Sequence, residues 1–221
     1  MRANREEGRP GMSADPETPL RADAQRNRDQ IIAAARVIFA SHGPEVPMEE
    51  IARAAGVGVG TLYRRFPDRD ALIRAVAVDN FAGVLDHARR LSVEAPTAWE
   101  ALVQLLYHGA ELQLSMQLAM LSQRAHEILK DDPEVAQLRE AVLLEVEGLV
   151  DRAQAEGTLR KDVGAGDVAV LFARLIRQLP AHRLKSPEMA TARNIAIMID
   201  GLRAGPATTL PGRPIGKEDL L

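Results

Sequence analysis

Residues 48–66 read MEEIARAAGVGVGTLYRRF, and the order of apolar and polar positions in this stretch decides the fold. Ile51, Ala52 and Ala55 stand three and four residues apart, which gives a short helix one apolar face. Gly56 follows at once, where a helix stops on a residue that tolerates positive φ. Val57, Leu62 and Phe66 then supply the apolar side of a second helix. Ala52, four residues before the turn glycine, is small enough to let two helices cross closely, as a helix-turn-helix requires. Thr61, Tyr63, Arg64 and Arg65 have no place on that apolar side. They imply a polar partner, and nucleic acid is the leading candidate.

Working outward, Ile31, Ala34, Ala35, Ile38 and Phe39 make a stripe on a preceding helix, about Ala22 to His42, which Gly43-Pro44 ends. Pro47 suits a first helical turn, and Glu49 and Glu50 favour the positive helix start. Asp68 is a good N-cap for a long helix whose stripe runs from Leu72 through Ile73, Val76, Phe81, Val84, Leu85 and Ala88 to Leu91.

Over residues 25–80 the chain resembles the DNA-binding region of the tetracycline-repressor (TetR) family of bacterial regulators. The matching residues are Ile31, Ala34, Ala35, Phe39, His42-Gly43, Ile51-Ala52, Ala55-Gly56-Val57, Gly60-Thr61-Leu62-Tyr63, Phe66 and Leu72-Ile73. The resemblance implies an all-α fold in which an N-terminal three-helix helix-turn-helix DNA-binding domain (21–80, motif 47–66) precedes a C-terminal helical ligand-binding and dimerisation domain (81–205). It implies DNA contacts from Val59, Gly60, Thr61, Tyr63, Arg64, Arg65 and Arg69. Val59 and Thr61 would touch thymine methyl groups. Tyr63 would reach a phosphate with its hydroxyl, and the arginines would add charge-assisted hydrogen bonds. The alternatives are a half-buried ring for Tyr63 and a solvated face for the arginines. The chain departs from the family where Gly58 and Val59 replace a Ser and a longer polar residue, and where no Ser or Thr caps the helix at Met48.

The 221 residues carry 46% hydrophobic and 27% charged side chains, enough for a core in an ordinary soluble protein. Aromatics at 3% and the absence of strand-forming runs favour helices. Without cysteine there is no disulfide or thiolate metal site. No apolar h-region follows the N-terminal charges, and no apolar run approaches the ~18 residues of a membrane span. The expected location is cytoplasmic, on the nucleoid. Net charge is −3. Between Arg21 and Asn80, nine Arg face eight Asp or Glu, so positive charge must be arranged rather than abundant.

Residues 1–20 and 206–221, rich in Pro, Gly and charge, read as disordered tails, the first alternatively as a basic arm on DNA. Thr97 and Glu100 form a capping-box pattern before a helix or helix pair reaching about Leu129. Its Leu and Met stripe is either core or pocket. Trp99, Tyr107, His108, Met116, Met120 and His126 on this segment are the candidate effector residues, because a mostly apolar cavity with a few polar groups is the usual small-molecule site. Further helices are expected over Asp132 to Glu156, Asp167 to Leu179 and Ser186 to Gly205. The last of these is apolar on more than one face, through Ile195, Ile197, Met198, Ile199 and Leu202. That suits burial against both its own chain and a second copy, and in the family the late helices pack as a four-helix bundle.

No catalytic constellation, phosphate loop or cofactor fingerprint is present, and no catalytic residue, metal ligand or cofactor is assigned. The expected protein is a homodimeric, ligand-responsive regulator, a repressor by preference, acting on a palindromic double-stranded DNA operator, with no membrane partner. The alternative is a helical small-molecule-binding or protein-interaction module that has lost sequence-specific DNA binding, motivated by Gly58, Val59 and the near-neutral N-terminal region.

Overall fold

The structure is a computed structural model and describes residues 17–111, 123–176 and 187–220. Among these residues nine α-helices follow one another. They are α1 (Glu17–His42), α2 (Met48–Ala54), α3 (Val59–Arg65), α4 (Arg69–Glu94), α5 (Ala98–Glu111), α6 (Gln123–Leu129), α7 (Pro133–Ala155), α8 (Ala165–Ile176) and α9 (Pro187–Leu202). A single 3-10 turn, Lys217–Asp219, lies beyond them. The one β pairing among the described residues is an isolated antiparallel bridge between Leu159 and Arg203. The fold is all-α, as the sequence implies.

The stops and starts follow from local chemistry. Gly56 has φ +68°, and the Val57 and Gly56 N–H groups donate back to the carbonyls of Ala52 (3.0 Å) and Arg53 (3.1 Å). This doubly bonded left-handed termination satisfies carbonyls that α2 would otherwise leave open and turns the chain into α3. Asp68 caps α4 by accepting from Ala71 N–H at 2.7 Å. Asp132 caps α7 by accepting from Glu134 and Val135 N–H, at 3.1 and 3.0 Å. Thr97 accepts from Glu100 N–H at 3.1 Å, but the Ala98 N–H goes to Glu156 of α7 at 2.9 Å, so α5 is capped from a neighbouring helix as well as from its own start.

Two cores form. The first gathers Ile31, Ile32, Ala35 and Phe39 of α1, Met48, Ile51 and Ala52 of α2, Leu62 of α3, and Leu72, Ile73, Val76 and Ala77 of α4, with Phe66. Ala125, Leu129 and Val135, from α6 and the start of α7, join the same core. The second gathers Val84, Ala88 and Leu91 of α4 with α5, α7, α8 and α9. Helix α4 is therefore shared, its first half in one core and its second half in the other. The Nε of Arg74 donates to buried Asp132 at 2.7 Å, and Arg124 pairs with Asp70 at 2.7 Å, so the α6–α7 corner is tied to the first half of α4.

Two expectations change. Helix α1 begins at Glu17, inside the stretch expected to be a tail. The region after 205 is not a loose tail, because residues 203–220 are bonded along their length to α7, α8 and the loop between them (below). Helices α5 and α6 lie where a helix or helix pair was expected, and Met116 and Met120 lie outside the described residues.

Candidate nucleic-acid interface and apolar cavity

Helix α3 has two sides of opposite character. Leu62 is fully buried and Phe66, just past the helix, is 4% exposed, so both are held by the first core. On the other side Val59 (39%) and Tyr63 (43%) are exposed, together with Gly60, Arg64 and Arg65. Thr61 is half-buried and accepts from the Arg64 guanidinium at 3.0 Å, which holds that arginine along the exposed edge. Among the described residues, Arg64 and Arg65 form no ion pair. Their charge is thus unneutralised by the protein and available to an anion. Arg28 of α1 lies over the Phe66 ring at 5.9 Å and adds a third cation beside the end of α3. Two acidic residues of α4 are paired elsewhere, Asp79 with Arg36 and Asp70 with Arg124.

The glycines here impose no internal constraint. A Cβ at Gly60 would meet nothing within 4 Å, and one at Gly58 only Thr61 Oγ1 at 4.0 Å. Gly58 is the N-cap of α3 and offers no side-chain bond, and its carbonyl accepts from Thr61 N–H at 2.8 Å and Leu62 N–H at 3.1 Å.

Six of the seven expected contact residues therefore come together on α3. Arg69 does not join them. Its guanidinium turns inward and donates to the carbonyls of Pro44 and Val46, bracing the α1–α2 loop against α4. Its Nη1 is engaged inside the head and not on the exposed edge of α3.

In the second core, a cavity of about 270 Å³ lies between α4, α5, α7 and α8. Its walls include Phe81, Leu102, Leu106, Val146, Phe172 and Leu220, and they are almost entirely carbon. Arg139 is the one charged residue of the lining, and its guanidinium lies over the Phe81 ring at 5.9 Å. None of the described residues expected to bind an effector lines this space. Trp99 is buried in the second core and covered by Arg203 at 5.3 Å. Tyr107 is exposed, His108 stacks on His87 with ring centroids 3.8 Å apart, and His126 is exposed on α6. The expected residues lie along the polar face of α5 and on α6, whereas this void opens on the apolar face of α5 through Leu102, Leu105, Leu106 and Gly109. The signal that could have pointed there is Gly109. A Cβ at that position would lie 2.6 Å from the Phe172 ring, so the glycine admits a large side chain from α8.

Among the described residues no group of His, Cys, Asp or Glu could hold a metal ion, and no helix is long and apolar enough to cross a membrane.

Comparison with known proteins agrees with this architecture. Residues 31–76 match the family model for bacterial regulatory proteins of the tetR family, and residues 94–204 match that for the C-terminal domain of SbtR-like transcriptional regulators. The TetR transcription regulatory protein from Mycobacterium vanbaalenii is 36% identical, with 84% of this chain covering 100% of that one at a TM-score of 0.59. The TetR transcriptional regulator SCO0520 from Streptomyces coelicolor is 29% identical, with coverage of 81% and 99% and a TM-score of 0.65. The transcriptional repressor LfrR of Mycolicibacterium smegmatis is 32% identical over 108 residues, a match that takes in 43% of this chain and 57% of the repressor's length. A helix-turn-helix head joined by a shared helix to a helical domain with an apolar cavity defines a one-component regulator. The chain belongs to the TetR family of bacterial transcriptional regulators.

Proposed function

We propose that this chain is a homodimeric, effector-responsive repressor that places α3 of each subunit in a major groove of a roughly palindromic operator. The observation that carries the reading is the split of α3. Leu62 and Phe66 are locked into the first core, while Val59, Gly60, Tyr63, Arg64 and Arg65 are exposed around the rest of the helix. A rigid helix with one edge of hydroxyl, guanidinium and small apolar groups is the element that reads base edges and grips phosphates. In this reading Thr61 positions Arg64 and also offers its methyl group. Operator binding is cytoplasmic work on the nucleoid.

Dimerisation is supported by the outer side of α8 and α9. Leu171 is 44% exposed, Met189 61% and Ile197 65%, whereas Ile195, Met198, Ile199 and Leu202 of the same pair of helices face inward. Exposed apolar residues gathered on two adjacent helices mark an association surface, and a two-fold pair of such faces gives the four-helix arrangement a palindromic site demands.

The effector site in this reading is the cavity. Phe81 and Val84 of α4 and Arg139 to Val146 of α7 form two of its walls, and both helices continue into the first core. A molecule that fits one spacing of α4 and α7 better than another would shift the head, because binding must distinguish the two states to change their balance. The test is an operator-binding titration of the chain and of Leu106→Trp, which fills the cavity. The reading expects inducer to release the unaltered chain from DNA and to leave the filled variant bound. Release of both alike would count against the cavity as the effector site.

A further inference from the structure

The segment after α9 belongs to neither matched region, which end at residue 204, and it is built onto the cavity-forming helices at several points. It leaves α9 through the bridge at Arg203, with Ala204 N–H donating to Thr158 O at 2.9 Å. The Arg160 guanidinium then donates to Thr208 O at 2.7 Å while gripping Asp162 at 2.6 Å. Further on, Ile215 is threaded against the start of α8. Gly166 N–H donates to Ile215 O at 2.8 Å, and Asp167 Oδ2 accepts from both Gly164 N–H (2.9 Å) and Ile215 N–H (3.0 Å). No side chain fits at Gly166, because a Cβ there would lie 2.5 Å from Gly216 O and 2.6 Å from Ile215 O. Lys217 reaches across to Glu147 of α7 at 2.5 Å. Arg213 clasps Asp219 with two bonds of 2.7 Å and holds that carboxyl down at about 2, so the clasp is intact at neutral pH. At the end of this path Leu220 stands in the cavity wall.

We infer that residues 213–220 are a strap that closes the cavity, and that the cavity admits a neutral, apolar molecule by displacing Leu220. This rests on the cavity being the effector site. The fastenings are of a kind that can open. They are the Gly166 and Asp167 bonds to Ile215, a partly exposed lysine pair to α7 and one leucine in the cavity wall. The ligand class follows from the wall. A charged group moved into a carbon-lined space loses its hydration, and the one charged residue of the lining, Arg139, is already set over the Phe81 face at 5.9 Å. The position of the strap ties ligand entry to α7 and α8 together, because it is fastened to both.

The probes are N-phenyl-1-naphthylamine, neutral and fluorescent in apolar surroundings, and its anionic relative 1-anilinonaphthalene-8-sulfonate. Both are mixed with the full chain in stopped flow. Two full-length variants loosen the strap by unrelated means. Gly166→Val pushes the Ile215 and Gly216 carbonyls away, and Lys217→Glu sets two carboxylates against each other at Glu147. The expected result is association of the neutral probe about tenfold or more faster in both, binding of the anionic probe at least tenfold weaker than the neutral one, and loss of the neutral signal in Leu106→Trp. Unchanged association in Lys217→Glu, with the signal still lost in Leu106→Trp, overturns the strap and leaves the cavity standing. Equal binding of the two probes at a site that Leu106→Trp abolishes overturns the ligand class. A neutral signal that survives in Leu106→Trp overturns the effector reading of the cavity itself. Should Gly166→Val not fold, Lys217→Glu carries the test alone.

Discussion

The two halves of the molecule are built from the same amphipathic helices and end in opposite kinds of surface. In the head, inward residues such as Ile31, Ile51, Leu62 and Leu72 are completely buried, and the functional groups point out. In the C-terminal domain, inward residues such as Leu102, Leu143 and Val168 surround a space. The difference is one of helix length and pairing. Helices α2 and α3 are seven residues each and cross closely at Ala52, so their side chains meet. Helices α4, α5, α7 and α8 are longer, and although they pack into one core they leave a space beside Phe172. A reading edge needs rigidity behind it, and an effector site needs room, and each half supplies one of these.

Predictions that break this contrast come in order of size. Replacing both Tyr63 and Arg64 by Ala removes two exposed contacts, each worth about 1.5–3 kcal/mol if made to phosphate or base. Operator affinity in a fluorescence-anisotropy titration should fall by on the order of 100-fold or more, with circular dichroism unchanged because neither side chain is buried. Ile197→Asp should convert the dimer to monomer in sedimentation velocity. It should also weaken operator binding by roughly tenfold or more, since two linked heads hold a palindrome better than one. Leu106→Trp should abolish induction while leaving operator affinity within about threefold. Its thermal stability should stay within about 1 kcal/mol, because the added ring enters an existing space rather than a full one.

Gly60→Ala sharpens the contrast, since the two readings of that glycine have opposite signs. A methyl group there meets no protein atom, so α3 should gain up to about 1 kcal/mol in helix propensity. Close approach of DNA backbone to the same spot should nevertheless weaken operator binding several-fold, and an unchanged affinity would mean that nothing comes near. The smallest expected effect lies where the halves join. Asn80 of α4 is 5% exposed with no partner for its Oδ1. Asn80→Leu should raise stability by about 1 kcal/mol, read as a rise in melting temperature, by removing an unsatisfied acceptor.

The head was legible in the sequence because its information is local. The Gly56 turn, the Asp68 cap and the spacing of Ile51, Leu62 and Phe66 each act within a few residues, and each holds in the structure. Arg69 misled because its partners, Pro44 and Val46, are brought to it only by the fold. The cavity was legible as a segment but not as residues. Periodicity says which side of α5 faces in. Whether the facing side chains of α7 and α8 touch or leave a gap depends on residues more than 30 positions away. Polar groups such as Tyr107 and His126 suggest an effector site because such sites usually carry a few, and the cavity carries almost none. The segment after 205 reads as loose by composition. Its order comes from Gly164, Gly166 and Asp167, which no local rule connects to Ile215.

The central claim is that the exposed edge of α3 reads a two-fold DNA site. Selection of bound duplexes from a random pool, with the unaltered chain and with the Tyr63→Ala, Arg64→Ala double variant side by side, tests it most directly. The account predicts an enriched inverted repeat for the first and none for the second. Enrichment of the same repeat by both, or of no sequence by the unaltered chain, would contradict it.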